Sequence, residues 1–335
     1  MLDSGQQERL RSLNSFIVKH PKMTRAIEAI EETKLLSYSA PEPQCLLIMG
    51  ESGVGKTTLK NIFCDRYPRE EKEDGTIVPV LSINIPAPAT IGSMVSALLR
   101  NLGGPIVSSQ SIDERTDRLR KLIVACGVEL IILDEFQHFM EGNKKRISQG
   151  VSDWLKNLIS ETNVPIVLIG LPKSENILLA DPQLKRRVTN KVNLETFRLG
   201  TSFQKFLKTL EGQLRMPETL GWAEKEMVRK FHNATQGNIA HLMNIVRAAA
   251  FEAIKQKADT ISEDMLARAY EDRITSGSAY GAGGATTNPF GKAESVTKPR
   301  QPAKSRPRRT KNQRQRDEAK YRRDLSAAMN PKGGA

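Results

Sequence analysis

The chain has 335 residues, about twice the usual domain length, so two or three domains with a substantial core are expected and a disulfide-stapled miniprotein is excluded. Its net charge of +13 is unevenly placed: residues 291–335 carry 14 Lys/Arg against 4 Asp/Glu, which leaves the preceding 290 residues near balance. No apolar run approaches the roughly 18 residues a membrane span needs, and MLDSGQQERL is too polar for a secretory signal, so a soluble cytoplasmic protein with no membrane partner is expected.

Residues 6–37 space their apolar side chains helically and break at His20-Pro21, which predicts two helices in an N-terminal extension over 1–40. QCLLIMG then forms a short solid apolar run, as expected of a strand buried on both faces. Comparable runs follow at 77–85, 128–133, 164–171 and 191–197. Amphipathic stretches alternate with them at 56–65, 90–102, 113–126, 148–162 and 181–187. This alternation predicts a doubly wound parallel α/β sheet of five strands over 41–200. From 201 to 273 the pattern is helical throughout, giving a small C-terminal helical domain. The remainder, 274–335, combines a small-residue stretch with a Pro-, Gln- and Arg-rich basic tail, and is expected to be a flexible linker and a disordered arm that binds phosphates or a partner.

Cys45, Cys64 and Cys126 show no CxxC spacing, and His20, His138, His232 and His241 form no ligand pattern, so any catalytic metal is expected to arrive with a substrate. The decisive segment is Gly50-Glu51-Ser52-Gly53-Val54-Gly55-Lys56-Thr57, which matches GxxxxGK[ST] between a predicted strand and a predicted helix. The glycines let backbone N–H groups turn inward around phosphates, Lys56 reaches the β and γ phosphates, and Thr57 ligates Mg²⁺. With Thr58 these are the candidate ATP-binding residues. The strand LIILDE ends in two carboxylates, of which Asp134 is placed to hold Mg²⁺ through water and Glu135 to polarise the attacking water.

One further strand lies between the two motifs, and an acid directly follows the Mg²⁺ aspartate. That arrangement resembles the ATP-hydrolysing branch of P-loop proteins, and with a helical lid after the sheet it narrows to the AAA+ ATPases. The resemblance implies that Arg186 or Arg187, in the basic cluster before the last strand, acts as an arginine finger in a neighbouring subunit's site. Two departures stand out: GLPKS replaces the asparagine that often follows the fourth strand, and GNIAH opens the lid helix where many AAA+ proteins carry an arginine. Both imply slow or partner-stimulated hydrolysis, with His241 able to approach the nucleotide.

GESGVGKTTL, CGVELIILDEFQHF, NLISETNVPIVLIGLP and TQGNIAHLMNIVRAAAFEAI together resemble the TnsC/TniB family of transposition regulators over about residues 5–272. The resemblance implies an AAA+ ATPase that assembles as a ring or helical filament on double-stranded DNA, links a target-selection protein to transposase subunits and licenses insertion, in some members with a CRISPR system. Lys144, Lys145 and Arg146, just after the acidic strand end, are candidate DNA contacts in the folded body. Two other readings share the core: a helicase loader or replication initiator, and a DNA-bound scaffold that ATP switches while hydrolysis is incidental. Initiators often add a winged helix, and no pattern for one follows Arg273.

Overall fold

The computed structural model describes residues 3–15, 17–38, 40–107, 109–140, 144–214, 216–275 and 288–291. Helices α1 (Ser4–Ser15) and α2 (Pro21–Ser37) lead into β1 (Cys45–Gly50) and α3 (Lys56–Cys64). A small antiparallel hairpin, β2 (Glu70–Lys72) and β3 (Gly75–Ile77), precedes β4 (Val80–Asn84), α4 (Ile91–Asn101) and α5 (Ile112–Ala125). Then come β5 (Leu130–Asp134), α6 (Lys144–Thr162), β6 (Ile166–Gly170), α7 (Glu175–Ala180), α8 (Pro182–Arg187) and β7 (Val188–Leu194).

The sheet order is β4-β5-β6-β1-β7, with every pairing parallel. Both faces are covered, which explains why the central strands are apolar at every position. Along β1, Cys45, Leu47 and Met49 face a core built with α4 to α8, through Leu98, Leu119, Leu155 and Leu184. Leu46 and Ile48 face the opposite core, where Ile27 and Ile30 of α2 meet Leu59 and Phe63 of α3. The apolar run at 77–85 is divided in the structure. Pro79 has no N–H to donate to a ladder, and its carbonyl instead accepts from Glu129 N and Leu130 N at 2.9 and 3.1 Å. Strand β7 starts and ends three residues earlier than its apolar pattern suggests. It is an edge strand whose opening residues Thr189, Asn190 and Lys191 are exposed, so no apolar run marks its start.

Four helices form the lid: α9 (Thr201–Gln213), α10 (Lys225–Thr235), α11 (Ile239–Gln256) and α12 (Glu263–Tyr270), closed by a π-helical turn at Glu271–Thr275. Their core is aromatic, with Trp222 and Phe231 rings 5.0 Å apart. Two segments that the sequence places elsewhere join it. The stretch expected to be a flexible linker contributes Phe290, 2% exposed and edge-on to Phe231 at 5.1 Å, while Asn288 Nδ2 donates to Ala267 O at 2.9 Å. Residues 292–335, the basic tail, lie outside the described residues.

The N-terminal extension likewise divides between the two bodies. Leu13 of α1 packs in the lid core and Gln6 Nε2 donates to Ile254 O at 2.7 Å, whereas α2 packs on the sheet. The join is His20, which caps α2 by accepting from Met23 N at 3.3 Å and lies edge-on to Phe197 and Phe206 at 5.1 and 6.1 Å. Among the described residues, no helix is long and apolar enough to cross a membrane.

Burial, with Lys22 nearby, pulls the His20 imidazole down to about 4. The unfolded chain, with a midpoint near 6.5, therefore takes the proton first, so this contribution to stability is complete above about pH 6.5 and is lost as pH falls towards 4. The variant His20→Asn keeps a capping side chain without a titrating ring. In melting experiments across pH 7.5 to 4, the wild type should lose stability faster than this variant; parallel curves would contradict the assignment.

Candidate functional site

In an open parallel sheet the crevice beyond the carboxyl ends of the strands is the usual ligand site. Here β1, β5 and β6 are neighbours and deliver to that end the loop after Gly50, the pair Asp134–Glu135 and the turn at Gly170–Leu171. The loop is possible because Gly53 and Gly55 take φ of 82° and 95°. Gly50 has no room for a side chain: a Cβ there would lie 2.4 Å from Leu194 O. Lys56 opens α3, is 7% exposed, and donates to Gly50 O and Glu51 O at 2.8 and 2.9 Å. Burial lowers its ammonium pKa, with Glu135, Asp134 and Glu51 opposing the shift.

Asp134 is fully buried. Its Oδ1 accepts from Glu135 N at 2.9 Å and its Oδ2 from Thr57 Oγ1 at 3.4 Å, so the two candidate Mg²⁺ residues do meet across β1 and β5. A hydroxyl and a carboxylate are hard oxygen donors of the kind Mg²⁺ prefers. The sequence does not reveal the third partner, Lys60, one helical turn after Lys56: its Nζ stands 3.2 Å from Asp134 Oδ2 and also donates to Asn84 Oδ1. Glu135 adopts φ of 60°, unusual for a residue with a side chain, and its carboxylate lines the cleft.

The lid closes the other side. The cleft, about 410 Å³, is lined by Ser52, Gly53, Lys56, Thr57, Thr58 and Glu135 from below and by Ala240, Met243, Asn244 and Arg247 of α11 from above. A smaller apolar recess of about 280 Å³ adjoins it, where Val18, Met23 and Phe206 meet Thr58, Met243 and Arg247. His241, able to approach the nucleotide by its place in the lid although a lone lid histidine is more often a packed or surface residue, is outside both linings, and burial lowers its imidazole pKa. Asn238 makes the joint between lid and loop. Its Oδ1 caps α11 by accepting from Ala240 N at 3.0 Å and His241 N at 3.3 Å, while its Nδ2 donates to Ser52 O at 2.8 Å. Ala240 N also donates to Gly53 O at 2.9 Å.

The two candidate finger arginines are in different situations. Arg187 is engaged within its own chain: Nε to Glu42 Oε1 at 3.1 Å, one terminal nitrogen to Lys156 O at 3.2 Å and the other to Ser160 Oγ at 2.9 Å. The Arg186 side chain is 78% exposed, with Glu42 at 3.9 Å. Neither lines the chain's own cleft. Lys144, Lys145 and Arg146 form the first turn of α6, and their side chains lie outside the described residues.

The model of the bacterial TniB protein family matches residues 10–199, more than half of the chain and the whole of the sheet domain. The chain belongs to the bacterial TniB family. No curated protein matches it. Among solved structures, this TniB-family chain is similar to the ORC2 protein of Aeropyrum pernix in ADPNP-ADP complexes, at 18% identity over 78% of this chain and 71% of that one, TM-score 0.56. It is also similar to the ORC1 protein of the same organism in complex with DNA, at 15% identity over 76% and 66%, TM-score 0.55. A third likeness is to the Walker-type ATPase PABY2304 of Pyrococcus abyssi, at 15% identity over 78% and 72%, TM-score 0.51. At such identities the likeness is one of fold, and the fold of this TniB-family member is that of an AAA+ ATPase.

The substitution Asn238→Asp keeps the capping oxygen, as good a cap as asparagine, but removes the donor to Ser52. The expected result is a melting temperature close to wild type with faster hydrogen exchange at the α11 first-turn amides that face the loop. Unchanged exchange would show that Asn238 is a cap alone.

Proposed function

We propose that this protein binds ATP with Mg²⁺ in the cleft between sheet and lid, oligomerises on double-stranded DNA, and uses the nucleotide cycle to link a target-selection protein to transposase subunits. The observation that carries the nucleotide reading is the convergence of Lys56, Thr57, Asp134 and Glu135 beneath the lid helix. Membership of the TniB family supports the transposition reading. The ORC1 structure similar to this fold was solved in complex with DNA, which supports duplex DNA as the substrate of assembly.

In this reading the loop amides from Gly50 to Thr58 cradle the phosphates, and Lys56 exchanges its bonds to Gly50 O and Glu51 O for phosphate oxygens. Thr57 and Asp134 hold Mg²⁺, which when bound neutralises charge on the β and γ phosphates. Glu135 takes the proton from the attacking water. The apolar recess beside Thr58 accommodates the base. Arg186 rather than Arg187 is the finger, because its guanidinium is free to reach a neighbouring subunit, whereas Arg187 ties α8 to α6 and Glu42. Lys144, Lys145, Arg146 and the basic tail 291–335 supply phosphate contacts on DNA.

Lys56→Ala should abolish binding of a fluorescent ATP analogue, while Glu135→Gln should retain it and trap the assembled state. Equal loss of affinity in both would contradict these roles. Electron microscopy with duplex DNA and a non-hydrolysable analogue should show rings or helical filaments on the DNA; nucleotide-independent single particles would count against assembly. Arg186→Ala should lose DNA-stimulated hydrolysis at an unchanged melting temperature and regain some of it when mixed with Lys56→Ala. Arg187→Ala should instead lose stability, by about 0.5–1 kcal/mol, because it unties α8 from Glu42 and from the exposed Ser160 hydroxyl.

A further inference from the structure

Strand β6 ends at Gly170, whose lack of a side chain leaves space next to Leu171. The space is not empty. A Cβ on Gly170 would lie 2.3 Å from Ser174 Oγ and 2.8 Å from Gln137 Oε1, so the space is shared by the Ser174 hydroxyl and a carboxamide that reaches in from another element. Gln137 belongs to the 3-10 turn Phe136–Met140 that follows Glu135, and it is only 4% exposed. Its two ends are used differently. The amide nitrogen donates to Glu135 Oε2, and the carbonyl oxygen accepts from Leu171 N at 3.0 Å. Gln137, Glu135 and Leu171 all line the cleft that holds Lys56 and Thr57.

The Glu135 carboxylate ends a side chain with three rotatable bonds, so its aim depends on the partners it finds. Gln137 Nε2 donates a hydrogen bond to that carboxylate. We infer that Gln137 is a positioning residue of the hydrolytic site: it aims Glu135 into the cleft and ties that aim to the turn after β6. The inference rests on the proposal that Glu135 acts on the attacking water. It also gives the turn at Leu171 a route to the reaction, because any shift of Leu171 N pulls on the carboxamide that holds the base.

The test uses the full chain with duplex DNA, comparing equilibrium binding of a fluorescent ATP analogue with single-turnover hydrolysis of ATP. Gln137→Leu removes both hydrogen bonds. Gln137→Glu keeps an acceptor for Leu171 N but sets a second carboxylate against Glu135 in place of the donor, and melting curves of both variants separate loss of aim from loss of folding. Both variants should bind the analogue within about twofold of wild type and hydrolyse about 10- to 100-fold more slowly, the size of effect that misplacing a reacting group produces. In a Glu135→Gln background, adding Gln137→Leu should change the residual rate by less than about twofold, because a residue acting only through Glu135 has nothing further to lose. Wild-type hydrolysis in Gln137→Glu, a loss of affinity that matches the loss of rate, or additive losses in the double variant would each overturn the inference. The underlying reading fails separately: in that case wild type does not bind the analogue, or Glu135→Gln hydrolyses at the wild-type rate.

Discussion

The helical lid meets the phosphate loop at the start of α11, through the Asn238 carboxamide and the Ala240 amide, and the geometry of the cleft depends on that joint. Asn238 caps α11 with its oxygen and holds Ser52 with its nitrogen. Each neighbouring residue is shaped by that contact. Gly53 has no side chain because a Cβ would lie 2.5 Å from Asn238 Oδ1, and its φ of 82° would strain any other residue. Gly237 is under the same pressure from behind, where a Cβ would lie 1.9 Å from Phe197 O; the Phe197 amide in turn donates to Gly237 O at 2.9 Å. A loop glycine, a lid glycine and a capping asparagine therefore form one joint, and changing any of them moves the roof of the site.

Beneath that roof, Asp134, Lys56 and Glu135 each have a polar partner. Asp134 has Lys60, Thr57 and a backbone amide; Lys56 has two loop carbonyls; Glu135 has Gln137. Desolvating a single charge costs several kcal/mol unless partners compensate, and these partners come from four different elements. The site is thus held in shape by its own electrostatics, which is what preorganisation requires.

Much of this was legible in the sequence, for physical reasons. Strands β1, β5 and β6 are buried on both faces and so appear as unbroken apolar runs, and the phosphate loop needs its glycines at set intervals. The hairpin β2–β3 was not legible, because Glu70, Glu71 and Lys72 are all exposed and leave no periodic trace. Lys60 looks like a solvated lysine on an amphipathic helix, and only the approach of β5 makes it the partner of Asp134. Gln137 was hidden for a related reason: its meaning depends on Gly170 and Leu171, distant in sequence, which it meets only in the fold. Phe197 and Phe290 were assigned by local pattern to a strand and a linker. Both belong to the lid, since isolated aromatics carry no period and go to whichever core is nearest in space.

The division of the N-terminal segment sets the mechanics of the two bodies. Because α1 is fastened to the lid and α2 to the sheet, the polypeptide passes between them twice, once at 16–20 and again at 195–200. A body suspended from one strap can swing in any direction. One suspended from two is limited to turning about the line that joins them, like a door on two hinges. The two straps come together where His20 packs against Phe197, so that one contact lies on both crossings between the bodies.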